Sequence, residues 1–344
     1  MNNSLRKLPD YYQLDLFLAE YTDIATRNLQ DLMWRPFFAL GKSPRFEPIE
    51  YKTDDASIMI MGSKPDGIAT VWDADILIWI VSQLVEARDR GEQTSAQLFF
   101  TPYDCLRGVY RRTSGRDYRA LTKAIQRLHS TTVRTTIRQS DQVPLTRLER
   151  RRLEKGFHWL ESYEIQSIER GGKDIPQGIT VVIPNWLYRG VMKRKNVLTI
   201  DERYFLITSG LKRILYMIAR KHVGGQDLWS FTIRQLYEKT GSESRFSDFA
   251  SRIRKIVKEN DLLEYCMELH KGQHDDEVVT FIKRSRLDFK DPRYEDVRLD
   301  RRAQRIRMGL MEHDADKDLR KLYARIGKNI RKSAEEFLTE DACE

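Results

Sequence analysis

The chain has 344 residues, 40% of them hydrophobic and 32% charged, with a net charge of +9. That size accommodates two domains with sizeable cores, and that balance excludes an intrinsically disordered chain. No apolar run reaches the ~20 residues of a membrane span, residues 1–7 lack a signal-peptide core, and Cys105, Cys266 and Cys343 are too scattered for a disulfide framework, so a reducing, cytoplasmic setting is expected.

In chain order, Leu14, Phe17, Leu18, Tyr21, Ile24 and Ala25 recur at helical spacing and predict a helix over 10–33, broken before Pro36. Residues 46–52 and 56–62 alternate like strands, Lys64-Pro65-Asp66-Gly67 is a turn, and 68–72 is expected to return as a third strand. A helix opens at Asp73 or Ala74, buries Ile76, Leu77, Ile80, Leu84 and Val85, and ends at Gly91. A short helix from Phe100 to Leu106 leads through Gly115 into a longer one over 116–130, followed by a strand near 132–139. After a basic insertion over 141–156, strands resume at 159–168 and 179–183, and 184–196 is helical. The pattern then repeats: a helix over 211–223, a short helix over 232–240, Gly241, a long helix over 244–260, and two strands, 262–269 and 277–282, around Gly272.

Short helix, glycine-containing turn, long helix, then strands is helix-turn-helix grammar with a wing, written twice. The expected class is α+β: tandem winged-helix domains with an N-terminal helix and a charged helical C-terminal tail. The expected divisions are 1–45 (N-terminal helix and linker), 46–197 (first winged helix), 198–290 (second winged helix) and 291–344 (tail).

Charge is unevenly placed. Residues 111–155 hold thirteen Lys/Arg against four acids, whereas 291–344 carry thirteen of each sign. A localised positive field attracts nucleic acid. On the second long helix Phe246, Phe249, Ile253, Ile256 and Val257 share one face, while Ser244, Ser247, Ser251, Arg254, Lys255 and Lys258 occupy the other, flanked by Arg245 and Arg252. Arginine can reach guanine edges, and serine and lysine more often hold phosphates. On the first, Tyr118, Leu121, Ile125 and Leu128 face inward, and Arg116, Arg119, Lys123 and Arg127 outward. The alternative for both is an ordinary solvated helix. Lys271, Lys283 and Arg284 are further phosphate candidates on the second wing, and Arg147 to Lys155 on the first.

Chemistry is not evident. Gly62 to Gly67 is spaced like a phosphate loop, but Ile68 stands where the lysine is required. Cys266, His270 and His274 lack a fourth zinc ligand and lie in strand-like sequence. Asp73 and Asp75 precede a helix, where capping suits them better than metal catalysis. No catalytic residue, metal or cofactor is expected, and the chain reads as non-enzymatic.

The stretches Trp34-Arg35-Pro36-Phe37-Phe38-Ala39-Leu40-Gly41-Lys42 and Gly67-Ile68-Ala69-Thr70-Val71-Trp72-Asp73-Ala74-Asp75-Ile76-Leu77-Ile78 resemble the replication initiator protein A family of bacterial plasmids. Tyr118, Leu121, Arg127-Leu128 and Thr131-Thr132-Val133 extend the likeness, which covers approximately residues 30–285. It implies a theta-type initiator of two winged helices that binds direct repeats at an origin, opens the adjacent duplex, and recruits the host initiator and replicative helicase. It also implies a homodimer in equilibrium with monomer, the dimer binding an inverted-repeat operator to repress its own gene and so set plasmid copy number. Carried over, Arg245, Arg252, Arg254, Lys255 and Lys258 read bases or hold phosphates, and Arg116, Arg119, Lys123 and Arg127 touch the backbone of the same double-stranded DNA. The competing reading is a dimeric winged-helix transcriptional repressor with no initiation role.

Overall fold

Thirteen of the seventeen residues of helix α1 (Ala74–Arg90) are buried. A helix enclosed on every side belongs in the middle of a core. The computed structural model describes residues 16–294 apart from 23, 54–56, 137–153, 170, 171, 173, 273–275 and 289, and it places α1 there. Strand β2 (Arg27–Leu29) and helices α2 (Pro102–Gly108) and α4 (Asn185–Met192) pack around it. Gly91, at φ 76°, closes it as expected.

The polar residues buried on α1 decide the conformation of the chain before it. Gln83 accepts from Tyr21 N–H at 2.9 Å and donates to Tyr21 C=O at 2.8 Å, and Ser82 Oγ accepts from Arg27 N–H at 2.8 Å. A helix would have spent those backbone groups on itself. The helix expected over 10–33 is therefore absent from its described part. Strand β1 (Leu16–Leu18) runs parallel to β5 (Gln97–Phe100), and β2 runs antiparallel to β10 (Val197–Thr199). Phe17 and Ala19 are buried while Leu16 and Leu18 are exposed, an alternation of period two that the helical spacing concealed.

A second sheet has the order β3 (Ile49–Lys52), β4 (Ser57–Met61), β6 (Thr132–Thr135), β7 (Lys155–His158). It corrects two further expectations. Residues 68–72 form no third strand, only an isolated bridge from Thr70 to Ala39, because Asp73 accepts from Thr70 N–H (2.8 Å) and Oγ1 (3.0 Å) and turns the chain. Strand β6 takes the place beside β4, so it is not part of a wing.

Once β6 and β7 are recognised as an insertion, the duplication is plain. Helix α1, β5, α2, α3 (Gly115–Ser130), β8 (Ser162–Glu169) and β9 (Asp174–Val182) are followed by a second series. It comprises α5 (Gly210–Val223), β11 (Leu228–Thr232), α6 (Ile233–Thr240), α7 (Phe246–Glu259), β12 (Tyr265–Lys271) and β13 (Glu277–Lys283). The strands are threaded alike, β5-β9-β8 and β11-β13-β12, with β1 added outside β5. Each short helix begins on a threonine cap: Thr101 Oγ1 accepts from Asp104 N–H and Thr232 Oγ1 from Gln235 N–H, both at 3.1 Å.

The described residues up to Lys283 form one compact unit, and those from Arg284 belong to a second. Within the first, both copies share a continuous core. Asp75 of α1, 1% exposed, accepts from Arg213 Nη1 of α5 at 2.6 Å and from Arg111 Nη2 at 3.0 Å. Burial pushes the Asp75 carboxyl upward and the two guanidiniums pull against it. Arg213 also donates to Phe205 C=O (2.8 Å) and Ile207 C=O (2.7 Å), so its charge is fully engaged at the joint. Gly241, at φ 62°, sets the second turn against the first half, where a Cβ would stand 2.7 Å from Pro36. In the second unit Arg293 forks onto Asp291, and the expected tail helix lies outside the described residues.

Candidate nucleic-acid interface

Helix α7 is anchored by its apolar stripe. Phe249, Ala250, Ile253 and Ile256 are buried, and Tyr237 of α6 meets Phe246 and Phe249 edge-on at centroid distances of 5.6 and 5.2 Å. Burying that stripe turns Arg245, Ser247, Ser251, Arg252, Arg254, Lys255 and Lys258 to solvent. Asn260, at φ 49°, ends the helix and its Oδ1 accepts from Met267 N–H at 2.8 Å, which ties the helix to the strand that follows.

The cations on this face differ in what they already hold. Arg254 makes a two-pronged pair with Glu277 at the start of β13 (2.8 and 2.6 Å). That bond raises the arginine above its ordinary value and lowers the carboxyl. Arg245 pairs with Asp248 at 3.1 Å and Lys255 with Glu259 at 3.8 Å, both across exposed helix surface. Among the described residues, Arg252 and Lys258 have no carboxylate partner. Ser244 belongs to the turn, its carbonyl accepting from Tyr237 Oη at 2.9 Å and its hydroxyl bonding Ser242 Oγ at 2.9 Å.

Helix α3 is built the same way. Leu121, Ala124, Ile125 and Leu128 are buried, and Arg116, Arg119 and Lys123 are exposed with no carboxylate partner among the described residues. The one acid of its first turn, Asp117, is used for capping, accepting from Ser114 N–H at 3.2 Å and from the Ser114 hydroxyl. Arg127 departs from the set: it forks onto buried Asp73 at 2.8 and 2.7 Å, which holds it above its ordinary value. Asp73 thus serves Thr70 and Arg127, not the N-terminal amides of α1.

Of the phosphate candidates expected on the second wing, Lys271 ends β12 near the tip of the β12–β13 hairpin, opposite Glu277. Lys283 ends β13 at the other end of the hairpin and donates to Gly224 C=O at 2.5 Å, so it does not join α7. Arg284 lies in the second unit. Of the basic insertion, Lys155 is in β7 and residues 147–153 lie outside the described residues. Cys266 is buried and His270 lies four residues along the same strand, roughly 13 Å away at strand spacing, so they do not converge; His274 is outside the described residues.

Two cations escaped the sequence reading. Arg234, at the start of α6, is exposed and lies over the Phe246 ring at 4.2 Å, next to the start of α7. Arg134 is exposed on β6, between two buried neighbours. Position in the short helix could have pointed to Arg234; nothing in the sequence singles out Arg134.

Fold and surface together describe an α+β protein with a duplicated helix-strand unit and a basic helix in each copy. Residues 27–267 match the family model of Replication initiator protein A. A protein of Wigglesworthia glossinidia brevipalpis described as a replication protein is 33% identical over 275 residues, covering 78% of this chain and 94% of that one. The chain belongs to the replication initiator protein A family. The crystal structure of domains 2 and 3 of RctB shares the fold, with a TM-score of 0.55 and 14% identity across 74% of this chain and 98% of that one. A second RctB structure, of domains 2–3, has a TM-score of 0.48 and 15% identity across 72% and 94% of the two chains. Among the described residues no helix is long and apolar enough to cross a membrane.

Proposed function

We propose that this chain is a plasmid replication initiator that binds repeated double-stranded sites at an origin through two winged helices. The observation that carries this reading is the pairing of α7 and α3, each with its apolar face buried and its cations turned outward. The order helix, strand, helix, helix, strand, strand in each copy supports this reading, in which α7 and α3 are the recognition helices and β12–β13 and β8–β9 the wings. In this reading α7 enters a major groove, where Arg252 and Arg254 reach base edges and Lys255 and Lys258 hold phosphates. Helix α3 holds the backbone of the same site through Arg116, Arg119 and Lys123.

Binding opens the adjacent duplex and recruits the host initiator and helicase, and a homodimeric form represses the chain's own gene. The role is non-enzymatic. Commitment of Asp73 to Arg127, and of Asp75 to Arg213 and Arg111, supports binding over metal-dependent catalysis. The test is footprinting of the purified chain over the DNA flanking its own gene. Protection of direct repeats is expected, with a salt slope that falls by about 2 when Lys255 and Lys258 are both changed to Gln. Unchanged protection and slope in a folded variant would remove α7 from the interface.

A further inference from the structure

Trp34 and Arg35 open the first stretch that carries the family likeness, yet neither belongs to the DNA-facing helices. The Arg35 guanidinium lies over the Trp34 ring at 4.0 Å, and Lys239, from the last turn of α6, lies over the same ring at 4.5 Å and over Phe231 at 5.5 Å. His222, at the end of α5, meets Trp34 edge-on at 5.6 Å and Phe231 at 5.0 Å. One aromatic floor thus gathers two cations and an imidazole from both halves of the molecule.

Among the described residues neither Arg35 nor Lys239 has a carboxylate within ion-pair distance. Asp31 and Glu238 act on them only from further away. Arg35 Nε and His222 Nε2 are buried without a hydrogen-bond partner. Cation–π contact offsets part of the cost of partly buried charge, but it leaves the Arg35 Nε–H unused. Burial and the neighbouring charge lower Lys239, and burial with Lys239 and Lys221 lowers His222 to about 4. Like charges held together on an apolar floor, with an orphan arginine donor, are the complement of an anion. An arginine fork beside a lysine suits the several oxygens of a phosphoryl group better than the two of a carboxylate.

We propose that Arg35, Lys239 and His222, on the floor of Trp34 and Phe231, form a phosphoryl-binding site at the joint of the two halves. The site stands whether or not α7 reads DNA. The phosphoryl group comes either from the backbone of bound DNA or from a free phosphate compound, and two measurements separate these sources. Thermal melting of the full chain is followed against inorganic phosphate and against sodium chloride at matched ionic strength, with tryptophan fluorescence as a second readout. A saturable rise in Tm of a few °C with phosphate alone, absent in both Arg35→Gln and Lys239→Gln, supports a free phosphate compound as occupant. A salt slope for duplex DNA that falls by about 1 in each variant, with Arg252 and Lys258 intact, supports the backbone source. Lys239→Gln is the variant for both arms if Arg35→Gln does not fold. Phosphate acting no differently from chloride on the wild type, together with unchanged DNA slopes, overturns the proposal. So does a phosphate response that survives in the variants.

Discussion

The two copies of the unit carry their positive charge differently. Helix α3 offers three cations with no acid against them among the described residues, while the acid of its own first turn caps the helix and Arg127 is held by Asp73. Helix α7 carries more cations, but Arg245, Arg254 and Lys255 each hold a carboxylate already. Counting basic residues along the chain therefore misjudges both. Among the described residues the three exposed cations of α3 have no carboxylate partner, whereas three of the five on α7 already hold one. Under the proposed function, an arginine that must leave a glutamate before touching DNA suits selection among sites, because the exchange succeeds only where the new partner is better placed. A surface with unengaged cations suits anchoring.

The sharpest break in the comparison is at the joint that makes the two copies one body. Asp75→Asn leaves Arg213 buried without its carboxylate, and a loss of about 3–5 kcal/mol is expected in denaturant unfolding. A loss under about 1 kcal/mol would mean that the halves stand independently of this pair.

Next in size is an asymmetry in pH response. Glu264, at the entry to β12, accepts from Tyr216 Oη at 3.0 Å, while its Oε2 is buried without a partner. Burial and then the neighbouring Asp201 raise its carboxyl to about 7 from an unfolded value near 4.5. A folded value above the unfolded one means that its stabilising contribution is complete below about 4.5 and is lost as pH rises through about 7. The wild type should lose about 3 kcal/mol over that window relative to Glu264→Gln, visible as converging melting curves at low pH and diverging ones at high pH. Parallel curves would locate the charge elsewhere.

The division of labour itself is tested on DNA. Changing Arg116, Arg119 and Lys123 to Gln should lower the salt slope by about 3 and weaken all sequences alike. Changing Arg252 should cost about 1–3 kcal/mol on the cognate repeat and little on unrelated DNA. If the two sets gave the same profile, the roles assigned to the helices would be wrong. The smallest effect is expected from Glu277→Gln, which releases Arg254. Affinity for unrelated DNA should rise by less than about 1 kcal/mol, in line with an exposed ion pair, with preference for the repeat reduced.

Most helices were legible because burial on one face leaves a periodicity of 3.6 that does not depend on partners. Helices α3, α5, α6 and α7 fall within one or two residues of expectation. The N-terminal segment was not legible, because its conformation is dictated by Gln83 and Ser82, some 55 to 62 residues further on. The role of β6 was hidden for the same reason: Thr132 to Thr135 read as a strand, but its partner β4 lies far upstream. The basic helix faces were foreseeable from the sequence. Which cations are engaged was not, since Glu277 and Asp73 reach Arg254 and Arg127 only through tertiary packing.

The Asp75–Arg213 bond spans 138 residues. A chain emerging from the ribosome makes α1 long before α5 exists, so the central helix first closes around a carboxylate with only Arg111 to answer it. The amino-terminal half is thereby left electrostatically unfinished until the second half arrives. Its final packing waits on α5, and a product truncated before residue 213 would leave Asp75 buried with Arg111 alone.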